Sequence, residues 1–193
     1  PQVDLPCCDE DSVTHDGTTC CEARFKPDFK LDLLLTHNCV CHFLTVSREA
    51  YEQVEPYGHD VDGAQDYDLT LKVSEVARDI RHVPRVLYHW RQHAGSTNGG
   101  ATAVKPYVVA SSINALSRYL ARRGIEAKVA PTDFPCVFDV AYPKSADADV
   151  SVIVATDADD ELLGFLESLE TQRMGSVCQL IEAAPADGLS APS

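Results

Sequence analysis

Two long segments of the chain carry apolar residues at the spacing of an amphipathic helix. The first is residues 66–78, and the second is residues 105–123, which Gly124 ends. Positions i, i+4, i+7 and i+8 share one helix face, so each segment is predicted to pack that face against a core. Two shorter helices are predicted around residues 31–35 and after Ser47, whose side chain can cap the second. The stripe of the first long helix consists of Leu69, Val73, Val76 and Ala77.

Short apolar runs bounded by turn residues predict the strands. Residues 1–8 predict a strand that runs into a loop at Asp9-Glu10-Asp11. Residues 39–46 are apolar at most positions and predict a buried strand. Residues 80–90 predict two strands joined by a turn at Pro84. The remaining predicted strands are residues 127–130, 136–141, 150–155 and 177–181.

The composition changes near residue 143, and this change predicts the domain boundaries. Residues 143–149 are polar and are expected to form a linker. A buried type of strand follows at once, and an apolar helix is predicted at residues 159–171. The expected layout is therefore a domain at 1–142 and the start of a second, truncated domain at 150–193.

Charge and hydropathy limit the partners. The formal net charge of −14 argues against nucleic-acid binding and against contact with an anionic lipid surface, since both need clustered Lys and Arg. No apolar run approaches the roughly 20 residues of a membrane span, and no signal peptide opens the sequence. We therefore expect a cytoplasmic protein, which in its full-length form could lie at the periphery of the inner membrane.

The chain has eight cysteines, and two adjacent pairs flank the Asp9–Asp11 run. A zinc site built from these pairs is one interpretation. Structural zinc sites, however, usually have two to four residues between their cysteines, and adjacent cysteines chelate one ion poorly. Reduced, unliganded thiols are the interpretation that we favour, with disulfides as a further alternative. The two pairs are Cys7-Cys8 and Cys20-Cys21.

Two short runs carry the candidate chemistry. Asp9-Glu10-Asp11 clusters hard oxygen ligands, as a divalent cation beside a diphosphate requires. Asp66 lies three residues before Leu69, so it is predicted to share the inner face of its helix. Asp68 is predicted to pair with Lys72 at i+4 on a solvated face. The alternatives are a solvated acidic turn for the first run and a helix cap for Asp66.

An ordered series of motifs resembles a bacterial family 2 glycosyltransferase of the GT-A fold, of the sort found in O-antigen and rhamnan assembly. The series covers about residues 5–125. It runs through Asp9-Glu10-Asp11, Phe25-Lys26-Pro27-Asp28-Phe29, Leu33-Leu34-Leu35-Thr36-His37-Asn38, Gly63-Ala64-Gln65-Asp66-Tyr67-Asp68-Leu69, Val86-Leu87-Tyr88-His89-Trp90-Arg91-Gln92-His93 and Gly95-Ser96-Thr97.

The resemblance implies an α/β fold: a partial GT-A (Rossmann-like) mixed sheet with flanking helices, followed by the strand–helix–strand start of another GT-A domain. Residues 1–142 would be the C-terminal, acceptor and metal side of a transferase domain. The nucleotide-binding opening of that domain is absent from this sequence. The family's usual acidic turn is also missing after Ile181, and Lys72 stands where the family commonly has Arg. Exposed sheet edges would favour self-association.

The resemblance also implies roles for individual residues in an inverting transfer from a nucleotide-sugar donor to a glycan or lipid-linked acceptor. Asp66 would be the general base. Asp9 and Asp11 would hold Mg²⁺ or Mn²⁺, with His89 completing the metal shell or contacting the diphosphate. Trp90 would stack on a sugar ring. The other residues expected to contact donor or acceptor are Glu10, Gln65, Arg91 and His93.

Three other hypotheses are consistent with the sequence. The first is a non-catalytic glycan-binding or scaffold remnant of a glycosyltransferase. The second is a small zinc protein organised by the cysteine pairs. In the third, the unit after residue 150 folds back to replace the missing nucleotide-binding half. A separate alternative for the individual residues is that His89 and His93 are ordinary core or surface histidines and that Trp90 is a plain core residue.

Overall fold

The structure is a computed structural model that describes the polypeptide in seven ranges. The chain divides into two compact units, Pro1–Pro143 and Lys144–Ser193. The ranges are residues 2–56, 58–92, 106–143, 150–154, 163–165, 167–168 and 177–182.

A three-stranded sheet organises the first unit. Its central strand β1, Leu5–Val13, pairs antiparallel with β2, Cys20–Arg24, and parallel with β3, Ile80–Arg91. Within the described part of the chain, the outer edges of β2 and β3 carry no further strand. Association of two copies through these edges stays a prediction.

The expected loop at Asp9–Asp11 was wrong, because these residues lie inside β1. Their backbone pairs with β2 on one side and with β3 on the other, so the strand continues to Val13. Asp9 and Glu10 are also buried rather than solvated, with 3% and 2% of their surface exposed.

The expected turn at Pro84 is instead an irregularity within one continuous strand. Cys8 pairs with Val83, but the next residue, Asp9, pairs with Val86. Pro84 and Arg85 are therefore the extra residues of a bulge in β3. Proline has no N–H to donate to the ladder, which is why a bulge accommodates it.

The strand expected at residues 39–46 is absent; this segment is irregular. Side chains replace the missing ladder bonds. Lys26 Nζ donates to Val40 O at 2.7 Å and to His42 O, and Asn38 Oδ1 accepts from Cys41 N at 3.1 Å. Val40 is still buried, with 2% of its surface exposed, so the apolar pattern marked burial correctly and the element wrongly.

The four predicted helices of this unit are confirmed. Ser47 caps the second of them, with its Oγ accepting from Ala50 N at 3.2 Å. A short 3-10 helix, His59–Val61, precedes the third. Gly124 ends the last one at a φ of 65°, a conformation that glycine adopts without strain. The helices are α1, Leu31–Thr36; α2, Arg48–Tyr51; α3, Gln65–Val76; and α4, Pro106–Arg122.

The core lies where α3 and α4 meet the sheet, and it corrects the predicted face of α3. Leu71 and Val73 are fully buried, whereas Leu69 is only partly buried. Asp68 and Lys72 do form the predicted pair, at 2.6 Å, but their side chains are 0% and 5% exposed. The solvated face expected for Asp68 was therefore wrong.

A hairpin completes the first unit. Strands β4, Lys128–Pro131, and β5, Phe138–Ala141, pair antiparallel, close to the predicted positions. Phe138 anchors the hairpin, since it belongs to the core and only 3% of its surface is exposed. The loop between the strands is tied by Thr132, whose Oγ1 donates to Val137 O at 3.0 Å.

In the second unit, β6, Val150–Val154, pairs parallel with β7, Val177–Glu182. Both strands lie where the sequence predicted them. Residues 163–165 and 167–168 are helical, and the rest of the helix predicted at 159–171 lies outside the described residues. Most of the predicted linker, residues 144–149, also lies outside them.

The predicted fold class is confirmed at the level of a mixed α/β protein whose small mixed sheet is compatible with part of a Rossmann-like fold. In the part of the chain that the structure describes, no helix is both long enough and apolar enough to cross a membrane.

Candidate functional site

Asp66 is the second residue of α3, and its carboxylate is positioned from outside the helix. Asn38, just after α1, donates from Nδ2 to Asp66 Oδ2 at 2.9 Å. Ala64 occupies the cap position without a side-chain cap bond, so the alternative of Asp66 as a helix cap is not what the structure has.

A cavity of about 670 Å³ opens in front of Asp66. Its walls come from the segment after α1, the start of α3, the first half of α4, the sheet and the β4–β5 loop. Arg24 and Trp90 line it from the sheet, and residues 135–138 line it from the loop. A cavity of this size, with one carboxylate and an indole among its lining groups, suits a sugar-sized ligand.

The sheet side of the cavity is an aromatic wall. His42 stacks on Tyr88, with ring centroids 5.1 Å apart and planes at 8°, and lies 4.3 Å from the ring of Trp90. The Arg24 guanidinium lies 6.0 Å from the Trp90 ring centroid. Trp90 is thus half-buried and lines the cavity instead of packing in the core. From this position its indole ring can stack on a sugar.

Glu10 holds this wall in place from behind. Its buried carboxylate pairs with Arg24 Nη1 and Lys26 Nζ, both at 3.4 Å, and lies 3.7 Å from His42 Nδ1. Glu10 therefore contacts groups that line the cavity and is not among the described lining residues itself. Its place is behind the binding surface.

Burial shifts the pKa of two ionisable side chains that line the cavity with Asp66. Burial raises the pKa of the Cys41 thiol to about 12, and the nearby carboxylates of Glu10 and Asp66 add to this effect. Burial lowers the pKa of His37 below its ordinary value. Both residues line the cavity beside Asp66.

Asp11 and His89, two of the three residues expected to hold the metal, lie together. They are register partners in β1 and β3, and His89 Nδ1 is 2.5 Å from Asp11 Oδ1. Cys20 of β2 joins them, with its Sγ 4.0 Å from the same nitrogen. One potential ligand atom from each residue lies within 4.8 Å of the others.

Asp9 is placed away from that group. Its Oδ1 receives His82 Nε2 at 2.7 Å and Lys26 N at 2.9 Å. Burial disfavours the ionised form of Asp9, but these hydrogen bonds outweigh it and lower the carboxyl pKa. Asp9 is thus engaged in holding the start of the Lys26 segment against β3.

The two groups of candidate residues lie on opposite faces of the sheet. Side chains alternate along a strand, so Trp90 and its neighbour His89 point to opposite sides. Trp90 is on the cavity side, with Glu10 behind it. Asp11, Cys20 and His89 are on the other face, and none of the three is among the described residues that line the cavity.

Comparison with known proteins agrees with part of the resemblance. The O-antigen biosynthesis protein RfbC of Myxococcus xanthus is 38% identical over 177 residues, which are 89% of this chain and 13% of that protein. The chain is similar to an O-antigen biosynthesis protein. The uncharacterized protein y4gI of Sinorhizobium fredii is 33% identical over 159 residues, 81% of this chain and 17% of that protein.

A more distant similarity covers less of the chain. The chondroitin synthase of Pasteurella multocida is 26% identical over 87 residues, 45% of this chain and 9% of that protein. The chain therefore spans a small fraction of each of these relatives. No family profile matches the sequence. Together, the names of these relatives suggest a glycosyltransferase.

The other residues expected to contact donor or acceptor do not all lie at the cavity. Gln65 lines the cavity, and its Oε1 accepts from Gly63 N at 2.7 Å. Arg91 instead reaches the turn after β1, where it donates from Nη1 to His15 O at 3.1 Å. His93 and the Gly95-Ser96-Thr97 motif lie outside the described residues.

The cysteine pairs do not form the four-thiolate site. Cys7 and Cys8 are buried in β1, whereas Cys20 is exposed on β2, and the seven cysteines with described side chains are free thiols. Within that set, the potential metal-binding groups of three or more residues join one cysteine each to acidic and histidine side chains.

The sequence reasoning missed three parts of the cavity. Asn38 is the last residue of the motif Leu33–Asn38. A polar amide next to His37 within that motif could have indicated a site residue. Arg24 and the loop at residues 135–138 gave no comparable signal, because β2 was not predicted and the hairpin lies outside the motif series. Only the fold brings them to Asp66.

Proposed function

We propose that this chain forms the acceptor side of a glycosyltransferase that acts in bacterial surface polysaccharide synthesis. The donor would be a nucleotide-diphosphate sugar, and the acceptor a hydroxyl of a glycan or a lipid-linked glycan. The observation that carries the proposal is the carboxylate of Asp66, held by Asn38 at a sugar-sized cavity. The relatives named for O-antigen biosynthesis and chondroitin synthesis support it.

In this proposal Asp66 is the general base. The acceptor hydroxyl lies within hydrogen-bond distance of the carboxylate and loses its proton as the oxygen attacks the anomeric carbon. Attack from the side opposite the departing diphosphate inverts the configuration at that carbon. Asn38 holds the carboxylate in one orientation, so the acceptor does not have to order it.

The cavity walls would position the acceptor sugar. Trp90 offers its indole face for stacking, and the guanidinium of Arg24, with 49% of the side chain exposed, offers donors at the rim. Residues 135–138 close the opposite side and would limit which sugars fit. Gln65 supports the entrance of α3 through its bond to Gly63.

Mg²⁺ or Mn²⁺ belongs to the proposal as the expected cofactor, because a divalent cation stabilises the departing diphosphate. Asp9, Asp11 and His89 are the predicted ligands. Asp11 and His89 are close enough to share an ion, whereas Asp9 is engaged with His82 and Lys26. Asp11 and His89 lie on the sheet face away from Asp66, however, so this arrangement does not fit a cation bridging the donor at the cavity. We derive no step of the transfer through the metal.

The test is Asp66→Asn in the full-length protein, with Asp62→Asn as the matched control on an exposed neighbouring carboxylate. Removing a general base should lower kcat by about 10²–10⁴-fold. The affinity for the nucleotide-sugar donor should remain, because the amide fills the same space and can still hydrogen-bond to Asn38. The control should keep wild-type turnover.

Two results would contradict the role of Asp66. Turnover equal to wild type would exclude it as the base, and a parallel loss of turnover and donor affinity would make it structural. A wild-type protein that binds glycan but transfers no sugar would favour the non-catalytic glycan-binding alternative.

A further inference from the structure

A row of aromatic rings continues from the cavity towards the solvent. Trp90 and His42 line the cavity, and their ring centroids are 4.3 Å apart. His42 stacks on Tyr88 at 5.1 Å, and the Tyr88 ring lies 6.2 Å from the ring of Phe43, with the two planes at 24°. Tyr88 and Phe43 are not among the described residues that line the cavity. The rings of Trp90, His42, Tyr88 and Phe43 together form what we call the aromatic strip.

The end of the strip that lies outside the cavity is exposed. The side chain of His42 is 31% exposed, whereas Phe43 is 56% exposed. Rings at these centroid separations are offset from one another, so part of each face stays uncovered. Contiguous exposed apolar surface of this kind is typical of an interaction site. The strip therefore extends the binding surface of the cavity.

The rings of the strip are held in place before any ligand binds. Lys26 Nζ donates to the carbonyl oxygen of His42, the residue immediately before Phe43. The buried Glu10 carboxylate lies 3.7 Å from His42 Nδ1. Tyr88 and Trp90 are two residues apart in β3, so they point to the same face of the sheet. A ligand that binds the strip does not have to order it, which favours affinity.

A glycan chain is the ligand that fits a strip in this place. Sugar rings have apolar C–H faces, which stack on aromatic side chains, and polar edges, which remain in water. A sugar whose hydroxyl lies at Asp66 occupies the cavity, and any further units of the same chain must leave it. The strip begins in the cavity wall and ends at the exposed Phe43, so it provides a stacking surface along one way out.

We propose that the aromatic strip is a glycan subsite, and that the acceptor is an oligosaccharide. Its terminal sugar lies at Asp66 and Trp90, and the preceding units stack along Tyr88 and Phe43. The inference rests on the proposed function in that the ligand is a glycan. It adds that the transferase extends an existing chain in preference to a free monosaccharide.

The test uses Trp90, the only tryptophan of the chain, as a fluorescent reporter of cavity occupation. The full chain is titrated with two neutral series, glucose and rhamnose oligosaccharides of one to four units. In at least one series, we expect the tetrasaccharide to bind at least about tenfold more tightly than the monosaccharide, because the further units gain ring contacts. Octyl glucoside, one sugar with an alkyl chain, tests whether a lipid occupies the strip instead.

The matched variants are Phe43→Ala and Tyr51→Ala. Tyr51 is also 56% exposed, but it ends α2 and is not a ring of the strip. Phe43→Ala should weaken tetrasaccharide binding by about three- to tenfold, the worth of one aromatic contact, and leave monosaccharide binding unchanged. Tyr51→Ala should change neither. Circular dichroism of both variants shows whether they are folded.

Four outcomes would overturn the inference. They are no response of Trp90 to either series, equal affinity for one unit and for four, equal effects of Phe43→Ala and Tyr51→Ala, and tighter binding of octyl glucoside than of the glucose tetrasaccharide.

Failure of this inference can be told apart from failure of the proposed function. Length-dependent binding without sugar transfer by the full-length protein would contradict the proposed function alone. Transfer that Asp66→Asn abolishes, together with equal affinity for every chain length, would contradict the glycan subsite alone.

Discussion

A single carboxylate, Asp4, joins three elements of the first unit at the entrance of β1. Its oxygens accept from Ser47 Oγ at 2.7 Å, from Arg78 N and Nε at 2.9 Å each, and from Arg78 Nη2 at 2.8 Å. The residue is buried, with 1% of its surface exposed, so ionisation depends on these donors. They connect the cap of α2 and the end of α3 to the sheet.

These contacts predict an acid-sensitive contribution to stability. The hydrogen bonds from Arg78 lower the pKa of Asp4 well below the usual aspartate value of about 4. Because the folded-state pKa is depressed, the contribution is complete above pH of about 4 and is lost as the pH falls towards the folded pKa. We expect Asp4→Asn to melt at a lower temperature than wild type at neutral pH.

Melting curves between neutral pH and pH of about 2 measure this effect. The difference in Tm between the wild type and Asp4→Asn should shrink as the acid protonates the wild-type carboxyl group. A difference that stays constant over the whole range would mean that the charge of Asp4 contributes no pH-dependent stability.

At the scale of the element, α3 is held by a buried ion pair. Asp68 and Lys72 are 2.6 Å apart, and Lys72 Nζ also donates to Glu55 O at 3.1 Å and to Pro56 O at 3.3 Å. The ion pair lies within one turn of the helix, although neither Asp68 oxygen takes part in a hydrogen bond of good geometry, and Lys72 holds the segment that precedes the 3-10 helix. Asp66 lies two residues before Asp68 in the first turn of the same helix, so the pair helps to fix the position of the candidate base.

Lys72→Met should destabilise the protein by about 3–5 kcal/mol, because it leaves the Asp68 charge buried without a partner. Lys72→Arg is the matched control: it keeps the positive charge and should lose clearly less stability. Urea unfolding of the two variants measures the difference. Equal losses would show that side-chain volume, rather than charge pairing, decides stability at this position.

At the scale of the whole molecule, the described hydrophobic core lies entirely in the first unit. It extends from Leu5 to Phe138, and the partly buried residues packed against it end at Val140. The first unit, Pro1–Pro143, thus contains both the cavity and the group of Asp11, Cys20 and His89. We expect it to fold without the rest of the chain.

A fragment of residues 1–143 should therefore melt cooperatively, with a Tm close to that of the full chain. Differential scanning calorimetry of both proteins measures this, and circular dichroism compares their secondary structure. A fragment without a cooperative transition would show that the first unit depends on residues 144–193, and would contradict the domain layout proposed from the sequence.

Local pattern was sufficient for the helices and for Asp66. The 3.6-residue periodicity located α3 and α4, and the cap at Ser47 needed only its own sequence neighbours. The place of Asp66 at the start of α3 followed from the same periodicity. The periodicity did not predict which face of α3 is buried, because the charged residues Asp68 and Lys72 form an ion pair on that face.

The strands show where local pattern was insufficient. Residues 39–46 have the apolar content of a buried strand, but the Lys26 side chain takes the carbonyls that a ladder would have used. Asp9–Asp11 have the composition of a loop, but two other strands pair with them. Both outcomes depend on residues distant in the sequence.

The sequence by itself determined the helices, the mixed α/β class and the break near residue 143, and it proposed Asp66, Asp11 and His89 as candidate site residues. The tertiary structure decided which of these residues face one another. Successive side chains of a strand point to opposite faces of the sheet. The face on which a candidate residue lies is therefore known only when the register of its strand pairing is known. Register joins residues such as Asp11 and His89 that are far apart in the chain, and it separates them from the Asp66 cavity.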